Sequence, residues 1–371
     1  LLIHPNDPYD EGKIRLSVQR IYRLGFLSEV RLNPISEEKL YVRDMLLSVK
    51  DRNAGAVDFG LGYGQEDRFR GFMEVSHRNL FGTGRRLSLR GDLSTIEEKY
   101  ALNYKEPWLF SLPMDGRAGL VYQVENLQTF DQRTVGGTVG IDKSFTEHTK
   151  GSVQYQYEQS KCENIAPEAV LTPEDLERIT LGSISPSLIR DSRDDPFNPT
   201  SGSVNGIIIK DAAMMLGSES QFVKVTLQSS WYRSMSQWLV LAISGRAGYA
   251  HTFGETEAIH CSERFFLGGR STVRGYKQDN VGVPNETLIN LQPTGGNTML
   301  LFNSELRFRV LKTLGLVLFV DGGNVWLEYT EIQLPQVKYT TGAGLRLNTP
   351  VGPLRLDWGY KLDRETGESP S

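Results

Sequence analysis

Three clusters in this chain carry residue types that do chemistry in other settings. The first is Phe265-Phe266-Leu267-Gly268-Gly269-Arg270-Ser271-Thr272-Val273-Arg274-Gly275-Tyr276, two arginines set among glycines and aromatics. A guanidinium is a planar fork that grips carboxylates through paired hydrogen bonds, which lysine cannot match. The second, Arg190–Gly202, spaces Asp191, Asp194 and Asp195 loosely like a calcium loop. It lacks the central Gly and terminal Glu of an EF-hand, and its Pro, Asn and Gly content reads as a turn. The third, Gly60-Leu61-Gly62-Tyr63-Gly64, is not G-x-G-x-x-G and no helix follows it, so it is no nucleotide cradle. Neither G-x-S-x-G nor H-E-x-x-H occurs, and His4, His77, His148, His251 and His260 stand beside no obvious nucleophile. Two cysteines make neither a disulfide scaffold nor a four-Cys zinc site. No enzymatic activity, metal or cofactor is expected.

Composition narrows the setting. With 371 residues, 23% charged and 39% hydrophobic, the chain is not of the disordered class. A net charge of −4 and a pI near 5.9 argue against nucleic acid as a partner. No uncharged apolar run reaches the ~18 residues of a transmembrane helix. A mean hydropathy of −0.34 is still compatible with a membrane β-barrel, whose alternating strands average to mild polarity. No signal peptide opens the chain, and Leu1 sits inside an ongoing pattern, so a longer precursor is expected.

The elements that would position these clusters follow from periodicity. Ile14, Val18, Ile21 and Leu24 recur at helical spacing and Gly25 offers a stop. Strands are predicted at Leu27–Leu32 and near Tyr41–Lys50. A helix and two strands are half of a small α/β module and bury little core alone. From Gly55 the period becomes two. Val57, Phe59, Leu61 and Tyr63 alternate with polar or small residues, as do Val153, Tyr155 and Tyr157; Val223, Val225 and Leu227; Phe302, Leu306 and Phe308; Leu354, Leu356 and Trp358. Many such segments exceed the ~5–6 residues of soluble strands and approach the ~9–11 that cross a bilayer. Trp108, Phe110, Trp231, Tyr232, Trp326 and Tyr360 fall at strand ends, as interface girdles do. Tight turns (Phe81–Gly84, Arg233–Ser236, Leu311–Thr313, Asn348–Gly352) alternate with longer loops at 160–175, 252–296 and 324–335, the asymmetry of outer-membrane barrels. Parity then places Val57, Phe59, Val153, Tyr155, Val223, Val225, Phe302, Leu306 and Leu356 toward lipid. It places Glu305, Asp321 and Asp357 toward the lumen.

The 252–296 loop is longer than structureless loops usually are. It is read as folding into the lumen, with Arg274 docked on one of those acids; a solvated Gly-rich loop over water-facing acids is the alternative. Gly60 and Gly62 mark either a weak first strand or close packing of neighbours. Cys162 and Cys261, both in outer loops, leave open a disulfide or two separate thiols.

Val273-Arg274-Gly275-Tyr276 resembles the V-R-G-F/Y signature of the BamA/TamA outer-membrane assembly superfamily, nearest its BamA branch. Arg78–Gly84, Phe319–Trp326 and Gly342–Arg346 followed by Thr349–Leu354 resemble further family motifs. Pro8-Tyr9-Asp10 and Tyr22–Val30 are similar to the second half of a POTRA domain. The resemblance implies an all-β transmembrane barrel of sixteen antiparallel strands, about fifteen of them present, after a partial α/β POTRA domain. The domains would be 1–52, the POTRA half, and 53–371, the barrel without its final strand. It implies a loop lock of Arg270, Val273, Arg274, Gly275 and Tyr276 on the luminal acids. It also implies a lateral seam along Val57, Phe59, Gly60, Leu61, Gly62 and Tyr63. The implied role is folding and inserting nascent β-barrel proteins in a bacterial outer membrane, with the POTRA domain in the periplasm. Implied partners are outer-membrane lipids, lipopolysaccharide and accessory lipoproteins. A TamA-like autotransporter helper, a two-partner-secretion pore and a general porin are the alternatives.

Overall fold

The computed structural model describes all residues except 1, 5, 23–24, 36–43, 128, 166–172, 312, 350–351 and 364–371. Helix α1 (Glu11–Tyr22) begins where the Asp10 carboxylate accepts the Lys13 amide at 3.0 Å. It ends at Gly25, whose φ of 81° lets its amide reach the Tyr22 carbonyl. The hairpin β1 (Leu27–Pro34) and β2 (Met45–Asp51) follows. Val30 and Leu32 are buried, yet Val49 across the ladder stays 52% exposed, so α1 covers only part of that apolar face. Leu24 and Tyr41 lie outside the described residues.

The remaining chain forms one antiparallel sheet. Its strands are β3 (Gly55–Gly64), β4 (Arg68–Leu80), β5 (Arg85–Ser94), β6 (Glu97–Glu106), β7 (Asp115–Asn126), β8 (Asp131–Ser144), β9 (Thr149–Glu163) and β10 (Ile179–Asp191). They continue through β11 (Gly202–Ala212), β12 (Phe222–Ser234) and β13 (Leu239–Thr252). A long loop interrupts, carrying only the two-residue pair β14 (Leu288–Ile289) and β15 (Gln292–Pro293). Then come β16 (Thr298–Arg309), β17 (Leu314–Trp326), β18 (Lys338–Thr349) and β19 (Gly352–Lys361). Each strand pairs with its neighbour in chain order, giving fifteen strands from β3 to β19. Among the described residues no helix is long and apolar enough to cross a membrane.

The sheet is curled. A single loop touches Asp67 beside its first strand and Gly359 on its last, which a flat fifteen-stranded sheet forbids. The period-two alternation sorts its faces: Val57, Phe59, Val153, Phe302, Leu306 and Leu356 are exposed on the outer, lipid-facing side. Val223 and Val225 share that side, half-buried, as does Tyr155, whose hydroxyl donates to the Leu216 carbonyl under a short outer turn. Two aromatics depart from the girdle expectation. Trp326 is fully buried, its indole N–H donating to Gln336 Oε1 at 2.7 Å under the loop before β18. Tyr232 points into the lumen, where the Arg307 guanidinium lies 5.5 Å from its ring. A strand-end position fixes neither which face a residue takes nor what a loop later lays over it.

Candidate functional site

The site is the 253–297 loop and the strands that hold it. Apolar side chains draw the loop inward: Leu267 and Val273 are completely buried, packed with Leu181, Phe222, Met299, Leu301 and Val325 of the wall. Backbone bridges Phe265↔Gly296 and Leu267↔Val281 fold the loop on itself. At its tip Gly275 takes a φ of 95° and lies against Gly359 of β19; a Cβ on Gly359 would sit 2.7 Å from the Arg274 carbonyl oxygen. Only a glycine pair lets these two backbones meet.

That contact delivers Arg274, 5% exposed, to its partners. Nε donates to Asp321 Oδ2 at 2.6 Å and Nη2 to Asp321 Oδ1 at 2.7 Å, a bidentate fork on β17. The Arg274 amide adds a third bond to Asp321 at 3.2 Å. Nη1 donates to Glu305 Oε1 of β16 at 2.6 Å, and Asp357 of β19 stands 3.9 Å away. The guanidinium carbon lies 3.6 Å from the Phe319 ring centroid, a cation–π contact inside the same cage. Asn303 binds both Asp321 and the Thr272 carbonyl. Glu305 is shared with Arg307, and Asp357 with Arg346 and Arg355. Tyr276 lies under Lys361, whose Nζ is 4.7 Å from the ring. The structure thus brings Arg274, Glu305, Asp321 and Asp357 together.

Arg270 reaches the other way. Its two terminal nitrogens meet the Asp67 carboxylate, in the β3–β4 turn, at 3.1 and 3.3 Å, while its own carbonyl accepts from Arg355 of β19 at 3.4 Å. The loop therefore touches both free edges of the sheet. Among the described residues no ladder joins β3 to β19, and on β3 the outward Val57, Phe59, Leu61 and Tyr63 are 58–90% exposed. The inward Gly60 and Gly62 are covered by Phe72 and Arg70 of β4, and the β3–β4 ladder is continuous from Gly55 to Gly64. These glycines serve close packing against β4.

Other anchors escaped the sequence reading. Glu263 is buried in the loop between Lys210 of β11 and Lys224 of β12. Burial pushes its carboxyl up, but the two ammonium groups outweigh burial and hold it below the usual carboxylate range. The signal was available, because Lys210 and Lys224 pair directly across the ladder and two facing cations call for an anion. Arg264 clasps the buried Asp175 of helix α2 (Pro173–Leu176) at 2.9 Å. Cys162 at the end of β9 is joined to Cys261 in a disulfide across 99 residues of sequence, with His260 beside it. In the Arg190–Gly202 turn, Asp194 accepts the Thr200 hydroxyl and the Thr200 and Ser201 amides, which is turn chemistry.

Comparison with known proteins gives a coherent set. The family model described as the Omp85 superfamily domain matches residues 79–370. The outer membrane protein assembly factor BamA of Nitratidesulfovibrio vulgaris is 24% identical over 365 residues, 97% of this chain and 46% of the relative. The chain spans about half the length of the curated relatives it matches. Among solved structures, BamA from Haemophilus ducreyi lacking POTRA domains 1–3 superposes with a TM-score of 0.81 at 20% identity, over 99% of this chain and 78% of that one. CdiB from Escherichia coli superposes less well, with a TM-score of 0.61 at 16% identity over 100% and 71%.

Proposed function

The chain belongs to the Omp85 superfamily, and from that premise we propose that it is the barrel part of a BamA-like assembly factor that inserts β-barrel proteins into a bacterial outer membrane. The observation that carries the reading is an occupied lumen beside a first strand, β3, whose ladder among the described residues is to β4 alone. A lumen filled by a loop locked through Arg274 is ill suited to passive diffusion. The β3 edge away from β4, once parted from its neighbour in surroundings where water cannot satisfy its N–H and C=O groups, is a template for another strand. A nascent barrel protein's strand adds there by β-augmentation. The substrate's own folding free energy drives insertion. Val57, Phe59, Gly60, Leu61, Gly62 and Tyr63 form the receiving strand, and Arg270, Val273, Arg274, Gly275 and Tyr276 form the lock that holds the wall around it.

Residues 1–52 act in this reading as the second half of a POTRA domain in the periplasm. Their hairpin β1–β2 passes extended chains onward and serves accessory lipoproteins. Lipid and lipopolysaccharide surround the barrel. The test is a pair of engineered disulfides in the full-length protein, assayed for substrate insertion into vesicles. One ties β3 to the barrel's final strand; the other ties β12 to β13. The first should abolish insertion until reduced and the second should leave it intact. Equal activity of locked and unlocked protein overturns lateral insertion.

A further inference from the structure

We propose that the outer wall around Arg190 is a binding site for the phosphodiester headgroup and acyl chain of a membrane phospholipid. The proposal rests on the barrel spanning a membrane and does not depend on lateral insertion. Arg190 is the penultimate residue of β10, next to a tight turn, and it is exposed. Its register neighbours run Arg190, Asn205, Ser229, Gly245 and Phe302 across five strands. Phe302 is lipid-facing, and the neighbouring row through Val204, Ser230, Ser244 and Asn303 leads to the luminal Asp321, so Arg190 faces outward. Among the described residues it makes no ion pair, whereas the arginines of the lock are all matched to carboxylates.

Beside it runs a polar ladder where lipid-facing strands usually present apolar residues. The Trp231 indole donates to Ser229 Oγ at 2.8 Å, Ser229 to Asn205 Oδ1 at 2.7 Å, and Asn205 Nδ2 to Ser203 Oγ at 3.1 Å. Two concavities meet at Arg190 and Asn205. One of about 580 Å³ is walled by Ser192, Ser203 and Trp231. The other, of about 820 Å³, leads away from the turn over Leu227, Gly245, Ala247, Leu300 and Phe302. The small residues Gly245 and Ala247 make the channel. An unmatched cation beside the second Nδ2 hydrogen of Asn205 complements a phosphate monoanion, and the apolar channel starting at the same residue accepts a hydrocarbon tail. A cation at the interface end of a strand also has its charge at headgroup depth.

The test is native mass spectrometry of the purified barrel protein titrated with palmitoyl-oleoyl phosphatidylglycerol, with palmitoyl-oleoyl glycerol as the phosphate-free probe. The wild type should retain one phospholipid and no diacylglycerol. Arg190→Ala should weaken retention on the order of tenfold, the size expected for losing a charge-assisted hydrogen bond. Ala247→Trp, which fills the channel and keeps the charge, should weaken it as well; circular dichroism and heat-modifiable migration report that each variant is folded. Arg117→Ala, whose charge is matched by Asp142 and which lines neither concavity, should change nothing. Equal retention by wild type and Arg190→Ala, equal retention of both probes, or a dimer closed across Trp231 and Leu227 overturns the proposal. Lateral insertion is read separately by the disulfide pair, so either idea can fail alone.

Discussion

Replacing Arg274 with alanine tests the lock at its centre. The loss is unequally distributed among the three acids. Glu305 keeps Arg307, and Asp357 keeps Arg346 and Arg355, but Asp321, fully buried, is left with the Asn303 amide and the loop backbone. An uncompensated buried carboxylate costs about 3–5 kcal/mol, and the expense falls on the docked state of the loop, since an undocked loop lets water reach Asp321. Opening of the loop should therefore rise roughly a hundred- to several-thousand-fold. Amide hydrogen exchange across residues 264–283 in detergent-solubilised protein reads this directly, with the β6–β8 amides as an internal standard. The double variant Arg274→Ala/Asp321→Asn should regain part of the protection, because it removes the orphaned charge. Arg274→Lys should fall between, keeping the charge and losing the fork. Unchanged exchange in Arg274→Ala, or an additive loss in the double variant, would refute the electrostatic account of the lock.

Two further outcomes are expected. Burial pushes the Asp279 carboxyl up to about 6, with Glu125 and Glu66 adding to the rise against the Gln278 hydrogen bond. A raised acid favours the docked loop in full below the ordinary carboxylate value and loses that contribution as pH rises through 6, so loop protection should fall between about pH 4 and 6.5 and level off above, and Asp279→Asn should flatten the profile. Reducing the Cys162–Cys261 bond should speed proteolysis within residues 253–264 while leaving the Arg274 region protected, because the disulfide holds the loop's first limb and Arg274 holds its tip; simultaneous release of both regions would show that they form one unit.

Much of this arrangement was legible because strand periodicity carries its own check. A slip of one residue inverts every face, so Phe302, Leu306 and Leu356 outward and Glu305, Asp321 and Asp357 inward form one consistent assignment. Inward parity places a carboxylate in the lumen and a long glycine-bearing loop is the natural occupant, so Arg274 and its partners could be considered together. Arg270 had no such handle. Asp67 is 203 residues away in a turn, and only the curl of the whole sheet makes them neighbours. The glycines of β3 left weakness and close packing both open, because the side chains that fill their space, Phe72 and Arg70, belong to another strand. Trp326 read as a girdle residue because nothing along β17 announces that the segment before β18 folds over it.

The loop grips the two ends of the wall unequally. Toward β16, β17 and β19 its hold is a buried, many-membered cage with a backbone seat at Gly359; toward β3 it is a single pair, Arg270–Asp67, with the arginine half exposed. Screened pairs of the second kind contribute little, and the first kind is costly to dismantle. In the lateral insertion proposed above, the wall therefore parts at the β3 side first. The C-terminal strands and the loop then stay together as a fixed doorpost, and the leaf that swings is the N-terminal hairpin β3–β4, still carrying the segment 1–52 at its base. On that proposal, motion of residues 1–52 and width of the opening are one mechanical variable, and a load on that segment reaches the wall without passing through the lumen.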